Sequence, residues 1–373
     1  MRVGILTSSR ADFGIYLPLL KELRRHADVR TELIVFGTHL SHCHGYTAQH
    51  ILDEGFSIDH RIESMLLGDT EEALSTGIGL TVTKFASFWQ QHGKRFDWVL
   101  CLGDRFEMFA AVAAGIPFNI RFAHIHGGET TLGAIDNTFR HAITHASKMH
   151  FTATEAFLDK VKQLVEPPYH IFNVGALSLD NLGEIPLHTN EEILQKWDID
   201  LSKPTVLVTF HPETVKPEIN DKYGRELVDA LLELSQYQFV ITMPNADTAG
   251  NRLRALFTSS FKDSAHVRLV ENFGTRGYFT MMARSRFLLG NTSSGIIEAA
   301  SFDKYVLNLG DRQRGRLCGK NVINIPVSKT AILEAVTNIE KLPAYNDGNI
   351  YWNGGAAVHI VEQLINHNNL SLV

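Results

Sequence analysis

The stretch RVGILTSSRADFGIYLPLLKELRRH, residues 2–26, contains the unit from which the fold of the chain can be predicted. It opens with the apolar run RVGILT, continues with small polar residues, and ends in a segment whose apolar residues recur at i, i+3, i+4 and i+7. Such a run is typical of a buried β-strand, and such a period is typical of an amphipathic helix. The stretch therefore predicts a strand, a tight loop and a helix.

The same alternation continues along the chain in two series. The first series of apolar runs is TELIVFG, DWVLCLG, NIRFAHI and MHFTA, and the second is PTVLVTFH, QFVITM, HVRLV, RFLLG and YVLNLG. This alternation predicts an α/β fold with parallel sheets and helices on both faces. Because residues 175–204 separate the two series, we expect one domain over 1–175, a second over 176–352 and a last amphipathic helix within 353–373. Ligands of such domains bind at the carboxyl ends of the strands.

The composition excludes several classes of function. The chain has 373 residues, of which 44% are hydrophobic and 20% charged, as in an ordinary globular protein. Its formal net charge of −6 argues against nucleic acid or an anionic membrane as the main partner. No segment approaches the ~20 apolar residues of a membrane helix. The three cysteines are far apart and form no CxxC pair, which fits a reducing cytoplasm, and we expect a cytoplasmic protein.

Two loops rich in small and hydroxyl residues are candidates for binding phosphate. In the first, SSRADFG over residues 8–14, N–H groups at a helix start favour an anion, and Arg10 could bind it with two hydrogen bonds. Asp12 could equally be a simple cap of that helix, with Arg10 an ordinary surface residue. This loop leaves a phosphate site and a capped turn as alternatives.

The second such loop lies in the segment LGNTSSGIIEAA. Thr292, Ser293 and Ser294 place hydroxyl and N–H groups at a helix start, which would form a phosphate cradle without a lysine. Glu298 follows one turn inside that helix, where its carboxylate could accept hydrogen bonds from a ribose diol. Arg312, in LGDRQRGR after the next strand, would converge on the same spot. The alternative is an ordinary N-cap and a helix with one exposed glutamate.

The segment AHIHGGETTLGAIDNTFRH concentrates ionisable side chains after an apolar run. Its Glu129, Asp136 and Arg140 are candidates for acid–base or charge-stabilising roles, although Asp136 and Arg140, spaced i and i+4, could form only a surface ion pair. His124 and His126, two apart on a predicted strand, would point to opposite faces and could not share a metal ion. We therefore expect no metal site here.

Polar residues also follow other predicted strands. Asp104 and Arg105 follow a strand in CLGDRFEMFAA, and His211 follows the first strand of the second series in TFHPETVKPE. Asn245, in TMPNADTAGNR, stands at the next strand end. Asp104 could instead cap the following helix, and a lone histidine such as His211 is often structural.

Motifs typical of other nucleotide-dependent enzymes are missing from the sequence. There is no Walker A lysine loop, and no G-x-G-x-x-G follows the first strand. No tyrosine is followed four residues later by lysine. The common nicotinamide-dependent sugar epimerases need both of the latter features, so we expect no cofactor.

Taken together, the motifs resemble those of the hydrolysing UDP-N-acetylglucosamine 2-epimerases of sialic-acid synthesis over nearly the whole chain. They are SSRADFG, GDRFE, HIHGGE, AIDNTFRHAIT, FHPET, PNAD, GNTSSG and NLGDRQRGR. Non-hydrolysing relatives typically carry Thr-Arg-Pro-Glu in the first loop, so SSRAD and HIHGGE resemble the hydrolysing branch. The resemblance implies the glycosyltransferase-B fold of two Rossmann-like domains, a last helix that returns to the N-terminal domain, and a homodimer or homotetramer.

The resemblance also implies roles for the candidate residues. The catalytic set on the sugar side would be Asp104, Asp136, Arg140 and His211, with Arg105 and His39 near them. The site for the UDP-sugar would include Arg10, Asn245, Thr292, Ser293, Ser294, Glu298 and Arg312.

One motif departs from the usual pattern. Sialic-acid members usually read H-I-E-G-G-E, whereas the central position here is His126. Either His126 or Glu129 takes the proton-handling role of the missing carboxylate, or the sugar differs. HIHGGETT resembles members that act on UDP-N,N′-diacetylbacillosamine, on the path to legionaminic-type acids.

The resemblance implies a hydrolase that releases UDP in two steps. UDP leaves C1 of UDP-N-acetylglucosamine as H-2 is removed, which gives a 2-acetamidoglucal, and water then adds to give N-acetylmannosamine. Because H-2 is not acidic, C1–O cleavage must lead, and Asp104 and Asp136 would stabilise the positive ring. His211 and His126 are candidates for proton transfer. A glycosyltransferase of the same fold would bind a UDP-sugar equally well, but it would need an acceptor.

Overall fold

The protein, in this computed structural model, forms two compact units. The structure describes residues 1–68, 70–130, 132, 135–213, 216–244 and 248–368. Unit 1 contains Met1–Glu129, Asp136–Asn181 and the segment that begins at Tyr351, and unit 2 contains Thr130–Ile135 and Leu182–Ile350. Residues 176–181, which the sequence analysis assigned to the second domain, lie in unit 1.

Unit 1 is built on a parallel sheet of seven strands in the order β3-β2-β1-β4-β5-β6-β7, within the described part of the chain. The strands are β1 (Arg2–Thr7), β2 (Arg30–Phe36), β3 (His60–Ile62), β4 (Trp98–Leu102), β5 (Phe122–Ile125), β6 (Met149–Thr152) and β7 (Ile171–Asn173). The helices between them are α1 (Arg10–Arg25), α2 (Ala48–Asp53), α3 (Glu71–His92), α4 (Phe106–Gly115), α5 (Asp136–Ala146) and α6 (Glu155–Leu164).

Unit 2 repeats this architecture with a parallel sheet in the order β10-β9-β8-β11-β12-β13. The strands are β8 (Thr205–Thr209), β9 (Gln238–Thr242), β10 (Val267–Val270), β11 (Leu288–Gly290), β12 (Val306–Leu309) and β13 (Val322–Ile325). The helices are α7 (Asn181–Glu184), which begins at the last residue of unit 1, α8 (Asn190–Trp197), α9 (Asn220–Glu233), α10 (Thr248–Ser260), α11 (Gly274–Arg284), α12 (Ser293–Ile297) and α13 (Lys329–Ile339).

The last helix, α14 (Ala356–Asn366), packs in the core of unit 1. Its Ile360 and Leu364 share a buried cluster with Tyr16 of α1 and with one face of the sheet. Its first turn is held by the carboxylate of Asp180, whose oxygens accept the N–H groups of residues 356 and 357 at 3.1 and 2.7 Å. Within the described ranges, no helix is long and apolar enough to cross a membrane.

The central strands are buried on both faces, as the near-continuous apolar runs predict, whereas the edge strands β3, β7 and β13 are partly exposed. In β1, Val3 and Ile5 face the cluster that contains α1 and α14, whereas Leu6 faces a second cluster with Trp89 of α3. Unit 2 has two such clusters as well. The predicted α/β class, with parallel sheets and helices on both faces, is therefore confirmed.

The strand order fixes where each unit can bind a ligand. In unit 1 the order reverses between β1 and β4, and in unit 2 it reverses between β8 and β11. In open parallel sheets, ligands bind at the carboxyl ends of the strands beside such a reversal. The loops after these four strands contain Arg10, Asp104, His211 and Thr292.

Candidate active site

The loop after β1 is fixed by the carboxylate of Asp12. This carboxylate accepts the N–H of Ser8 at 2.9 Å and of Ser9 at 3.1 Å, and the hydroxyls of both serines at 2.6 and 2.9 Å. Ser9 caps α1 in return, so the two residues form a capping box. Asp12 is therefore the helix cap that the sequence offered as one alternative. Arg10 is exposed at the first position of the helix.

His39 lies under this loop rather than on its surface. Its Nε2 is 2.9 Å from the Thr7 hydroxyl and its Nδ1 is 2.9 Å from the Thr47 hydroxyl. Burial lowers the pKa of His39 to about 4, so the imidazole is neutral near pH 7. In this arrangement His39 supports the loop after β1 with both ring nitrogens.

Arg140 is the centre of a buried cluster in unit 1. Its guanidinium is 2% exposed, pairs with the carboxylate of Asp104, and donates to the backbone carbonyl of His126 at 2.7 Å. The same guanidinium lies 3.8 Å from a carboxylate oxygen of Glu129. Arg140 is therefore not part of a surface ion pair, because it joins the loops after β4 and β5 from beneath.

His126 is held in a conformation that the sequence did not predict. β5 ends at Ile125, and His126 has a φ of 66°, the left-handed region that costs a non-glycine residue of order 1 kcal/mol. The expectation that His126 extends the strand is therefore wrong. The N–H of His126 donates to the Phe151 carbonyl at 2.9 Å, which helps to hold the turn.

The imidazole of His126 pairs with a buried carboxylate. Nδ1 lies 2.7 Å from Oε1 of Glu129, and the two residues are 7% and 2% exposed. Because a carboxylate accepts, the hydrogen lies on Nδ1 and the lone pair on Nε2. Within the described residues, this buried Nε2 has no hydrogen-bond partner. The turn also needs Gly128, since a Cβ there would lie 2.4 Å from the Phe157 carbonyl oxygen.

The neighbouring ionisable residues have other contacts. Arg105 forms two hydrogen bonds with the buried Glu107, at 2.7 and 3.2 Å. Nε2 of His124 donates to the Gly103 carbonyl at 2.8 Å, and burial lowers the pKa of His124 to about 3, so this histidine is structural. Asp136 is the first residue of α5 and is half-buried.

In unit 2, a side-chain amide fixes the backbone of His211. The His211 N–H donates to Oδ1 of Asn291 at 2.7 Å, and Nδ2 of Asn291 donates to the His211 carbonyl at 2.8 Å. Burial and the nearby charge of Arg312 lower the pKa of His211 to about 3. His211 is therefore a neutral imidazole near pH 7, able to accept a proton but not to supply one.

The loop that contains Arg312 is also held by Asn291. Nη1 of Arg312 donates to the Asn291 carbonyl at 3.2 Å, and Nε2 of Gln313 donates to the same oxygen at 2.9 Å. The buried Glu213 accepts the N–H of Asp311 at 3.2 Å. Three loops, after β8, β11 and β12, are thus joined through one asparagine.

The hydroxyl-rich loop begins a short helix, as predicted. Thr292 caps α12, and its hydroxyl lies 3.4 Å from the Ser294 N–H. The hydroxyl of Tyr278 lies 3.4 Å from the Thr209 hydroxyl at the end of β8, and burial raises the pKa of Tyr278 to about 12. Glu298, at the carboxyl end of α12, is buried rather than exposed, which does not fit the simple alternative of a surface glutamate. The loop turns at Gly290, where a φ of 143° and a Cβ only 1.9 Å from the Thr209 carbonyl oxygen exclude other residues.

The predicted site residues therefore form two groups. Unit 1 brings together Asp104, His126, Glu129 and Arg140, and unit 2 brings together His211, the cradle of residues 292–294 and Arg312. Asn245 lies outside the described residues. Of the residues that the structure describes, no group of three or more histidine, cysteine or acidic side chains could hold a metal ion.

Sequence reasoning missed four residues that support these groups, three of them buried and one, Tyr278, half-buried. They are Glu107, Glu213, Tyr278 and Asn291. Glu107, Glu213 and Asn291 stand inside the motifs GDRFE, FHPET and GNTSSG, so a motif-by-motif reading of polar residues could have found them. Tyr278 lies in no such motif.

Both units carry polar loops at the strand reversal of a Rossmann-like parallel sheet, which defines a class of α/β proteins that bind ligands at that edge. A sequence model described as UDP-N-acetylglucosamine 2-epimerase matches residues 21–365. The chain belongs to this family of epimerases.

Individual relatives support the assignment. The chain is 32% identical to an Escherichia coli protein named polysialic acid biosynthesis protein P7, over 99% of this chain and 95% of that one. It is 33% identical to the UDP-N,N′-diacetylbacillosamine 2-epimerase (hydrolyzing) of Legionella pneumophila, over 95% and 92%. The solved UDP-GlcNAc 2-epimerase of Neisseria meningitidis, bound to UDP-GlcNAc, is 20% identical and superposes with a TM-score of 0.84 over 98% of this chain and 100% of that one. This likeness confirms the predicted fold.

Proposed function

We propose that the protein is a hydrolysing 2-epimerase that converts UDP-N-acetylglucosamine into UDP and N-acetylmannosamine, through a 2-acetamidoglucal. The single observation that carries this proposal is the buried Arg140 cluster at the strand reversal of unit 1. Two carboxylates, Asp104 and Glu129, face one guanidinium, so acidic side chains outnumber the arginine in this cluster. A buried negative charge stabilises a cationic transition state such as an oxocarbenium-like sugar ring.

In the first half-reaction, the C1–O bond breaks and its electron pair leaves with UDP. Positive charge then develops on C1 and the ring oxygen, beside Asp104 and Asp136. Loss of H-2 to a base gives the C1–C2 double bond of the glycal. We assign this proton to Nε2 of His126, which carries the lone pair and whose protonated form Glu129 would stabilise at 2.7 Å.

In the second half-reaction, water adds across the double bond. Its oxygen bonds to C1, the proton that it loses passes to His211, and a solvent proton is delivered to C2 on the opposite face from the one that lost H-2, which inverts that carbon. His211 is neutral, with its pKa lowered to about 3 first by burial and then by the nearby charge of Arg312, so its ring can receive the proton from the water. The anionic UDP would offset the charge of Arg312, which is the smaller of the two causes. His126 and His211 then return their protons to the solvent.

We assign the nucleotide to unit 2, and for Arg10 we keep the role in UDP-sugar binding that the motif implies. The start of α12 presents N–H groups and the hydroxyls of Thr292, Ser293 and Ser294, which suit a diphosphate, with Arg312 beside them. The buried carboxylate of Glu298 suits the ribose diol. We propose the same role in nucleotide binding for Asn245.

A second substrate is supported by one specific observation. Sialic-acid members usually have glutamate where this chain has His126, and the Legionella pneumophila relative is named for UDP-N,N′-diacetylbacillosamine. On this alternative the reaction and the residues are the same, and only the sugar differs. Both substrates share the 2-acetamido group that the reaction needs.

The test is to incubate the protein with each UDP-sugar separately and to follow the products by ¹H and ³¹P NMR. We expect UDP and a free sugar inverted at C2 from one of the two substrates, without any acceptor. When the reaction is run in D₂O, the free sugar should carry one deuterium at C2. Release of UDP only when an acceptor alcohol is added would instead identify a glycosyltransferase and contradict the proposal.

A further inference from the structure

Four of the five hydrogen bonds of Asn291 connect three loops of unit 2. Its side-chain amide pairs with both backbone groups of His211, at 2.7 and 2.8 Å. Its own carbonyl accepts from Arg312 at 3.2 Å and from Gln313 at 2.9 Å. The residue is completely buried, at 0% exposure, so it cannot touch bulk solvent in this arrangement.

The position of Asn291 leaves little freedom for these contacts to shift. It follows Gly290, whose backbone passes so close to the Thr209 carbonyl that only glycine fits. The Asn291 N–H donates to that same Thr209 carbonyl at 3.0 Å. Backbone and side chain of Asn291 thus tie the end of β11 to the end of β8 and to the loop that begins at His211.

The loop that His211 begins is fixed in the same manner at a second point. The N–H of Glu213 donates to Oδ1 of Asn220 at 2.7 Å, and Nδ2 of Asn220 donates to the Glu213 carbonyl at 3.0 Å. Two buried asparagines therefore satisfy the backbone of residues 211 and 213 in both directions. Of the two, Asn291 is the one whose carbonyl also receives Arg312.

We propose that Asn291 is a positioning residue that orients both His211 and Arg312. This inference rests on the proposed function, in which His211 transfers a proton and Arg312 binds the diphosphate. Asn291 does not act on the substrate itself. Its side-chain amide fixes the position of the His211 backbone, and its backbone carbonyl fixes the direction of the Arg312 guanidinium. A change of the side chain at Asn291 therefore affects turnover and nucleotide binding together.

The experiment compares N291A with N321A in the full-length protein. Asn321 is also completely buried, and its Nδ2 donates to the Lys304 carbonyl at 3.0 Å, but it stands at the amino-terminal edge of the same sheet. Loss of either side chain removes buried hydrogen bonds and lowers the stability of unit 2. N321A therefore measures the structural effect alone.

We expect N291A to slow UDP release by about 10²-fold, because a misplacement of about 1 Å at a reacting group costs that much. We expect its Kd for UDP, measured by calorimetry, to rise about tenfold. Alanine keeps the backbone carbonyl that accepts from Arg312 but loses the side-chain bonds that fix its position, so the Arg312 hydrogen bond is weakened. N321A should leave both values unchanged. Unchanged turnover and UDP affinity in a folded N291A would overturn the inference.

Double variants separate positioning from a general structural effect. If Asn291 acts through His211, N291A/H211A should release UDP as slowly as H211A alone, and N291A/R312A should bind UDP as weakly as R312A alone. Additive losses in both pairs would contradict the inference. If N291A does not fold, N291D replaces it, because aspartate keeps the acceptor for the His211 N–H and loses the donor to the His211 carbonyl. Turnover and UDP binding of N291D equal to those of the wild type would also contradict the inference.

The UDP-binding measurements also separate this inference from the proposed function. If the wild-type protein releases no UDP from either sugar, the proposed function is wrong. Binding of UDP to N291A, R312A and N291A/R312A still decides whether Asn291 orients Arg312.

Discussion

The two strand-reversal edges of this molecule are built from the same topology but by different contacts. In unit 1, charged side chains contact one another, with Arg140 between Asp104 and Glu129 and the latter bound to His126. In unit 2, side chains bind backbone groups, as Asn291 does at residue 211. The first arrangement controls where charges and protons lie, and the second controls the shape of the loops.

This difference matches what the sugar chemistry and the binding of the diphosphate each need. Proton transfer and a cationic ring require ionisable groups whose charges are balanced and buried, because their effect is largest away from water. A diphosphate requires N–H groups and hydroxyls that already point at it, because such a preorganised site loses little entropy on binding. We therefore expect variants of the Arg140 cluster in unit 1 to affect turnover and stability, and variants of Arg312 and of the start of α12 in unit 2 to affect UDP binding. His211 and the Asn291 that orients it are the unit 2 residues expected to affect turnover.

The largest effect is expected for R140A. Removal of the guanidinium takes a buried cation away from the partly exposed carboxylate of Asp104 and from the buried carboxylate of Glu129, which should lower the free energy of unfolding by about 3–5 kcal/mol. Turnover should be lost as well. The measurement is chemical denaturation of the full-length protein, together with UDP release.

The matched control for R140A is R286A in unit 2. Arg286 pairs with Glu340 at 2.9 Å, and its side chain is 60% exposed, so this pair is typical of those that contribute only about 0–1 kcal/mol. A loss of similar size in the two variants would show that the Arg140 cluster is not the buried network on which the comparison depends.

The next effect separates catalysis from binding. D104N and H126Q should each slow UDP release by about 10²–10⁴-fold, because a charge or a proton acceptor is lost with little change of shape. Their Kd for UDP should remain as in the wild type. R312A should instead weaken UDP binding, and equal Kd changes in D104N and R312A would contradict the division of roles between the units.

The effect of acid should also differ between the units. Burial lowers the pKa of His39 to about 4, of His124 to about 3 and of His150 to about 4, all in unit 1. In the unfolded chain each pKa is about 6.5, so below that pH the unfolded state binds more protons than the folded one. Above about pH 6.5 these histidines do not reduce the free energy of unfolding, because they are neutral in both states. As the pH falls from there towards about 4, the free energy of unfolding decreases by up to ~1.4 kcal/mol per pH unit for each histidine.

Hydrogen exchange at about pH 7 and about pH 5, corrected for the intrinsic exchange rates, measures this loss separately in each unit. Unit 1 should lose more protection than unit 2, in whose described part His211 is the histidine with a similarly low pKa. H150L should reduce the pH dependence of unit 1, because it removes one buried group that the unfolded chain protonates. An unchanged dependence in H150L would show that other groups dominate the acid response.

Much of this comparison could be predicted from the sequence. Apolar runs and helical periods identified most strands and the loops at their carboxyl ends, because burial on both faces demands such runs. The three-residue strands β3 and β7 and the four-residue β13 were missed, since they are short edge or near-edge strands with partly exposed or polar residues.

The contacts within the site could be predicted less well. The left-handed backbone of His126 depends on its hydrogen bond to the Phe151 carbonyl, and the choice of its bonded ring nitrogen depends on Glu129. Neither contact can be read from the sequence. His39 was expected beside the sugar, yet both its ring nitrogens bind threonine hydroxyls. Asn291 carries no charge and matches no catalytic pattern, so only the fold reveals that its hydrogen bonds join its own loop to the loops after β8 and β12.

The smallest expected effect compares the two helix starts. Ser9 and Asp12 form a complete capping box on α1, so S9A should lower the free energy of unfolding by about 1 kcal/mol. The cap at Thr292 is weaker, at 3.4 Å on a helix of five residues, so T292A should cost less stability than S9A. If the hydroxyl of Thr292 serves the diphosphate instead, T292A should weaken UDP binding severalfold while S9A leaves it nearly unchanged, because Asp12 still holds the Ser8 and Ser9 N–H groups. Denaturation and calorimetry on the two variants measure both quantities, and a larger loss of stability in T292A than in S9A would mean that this hydroxyl has a structural role.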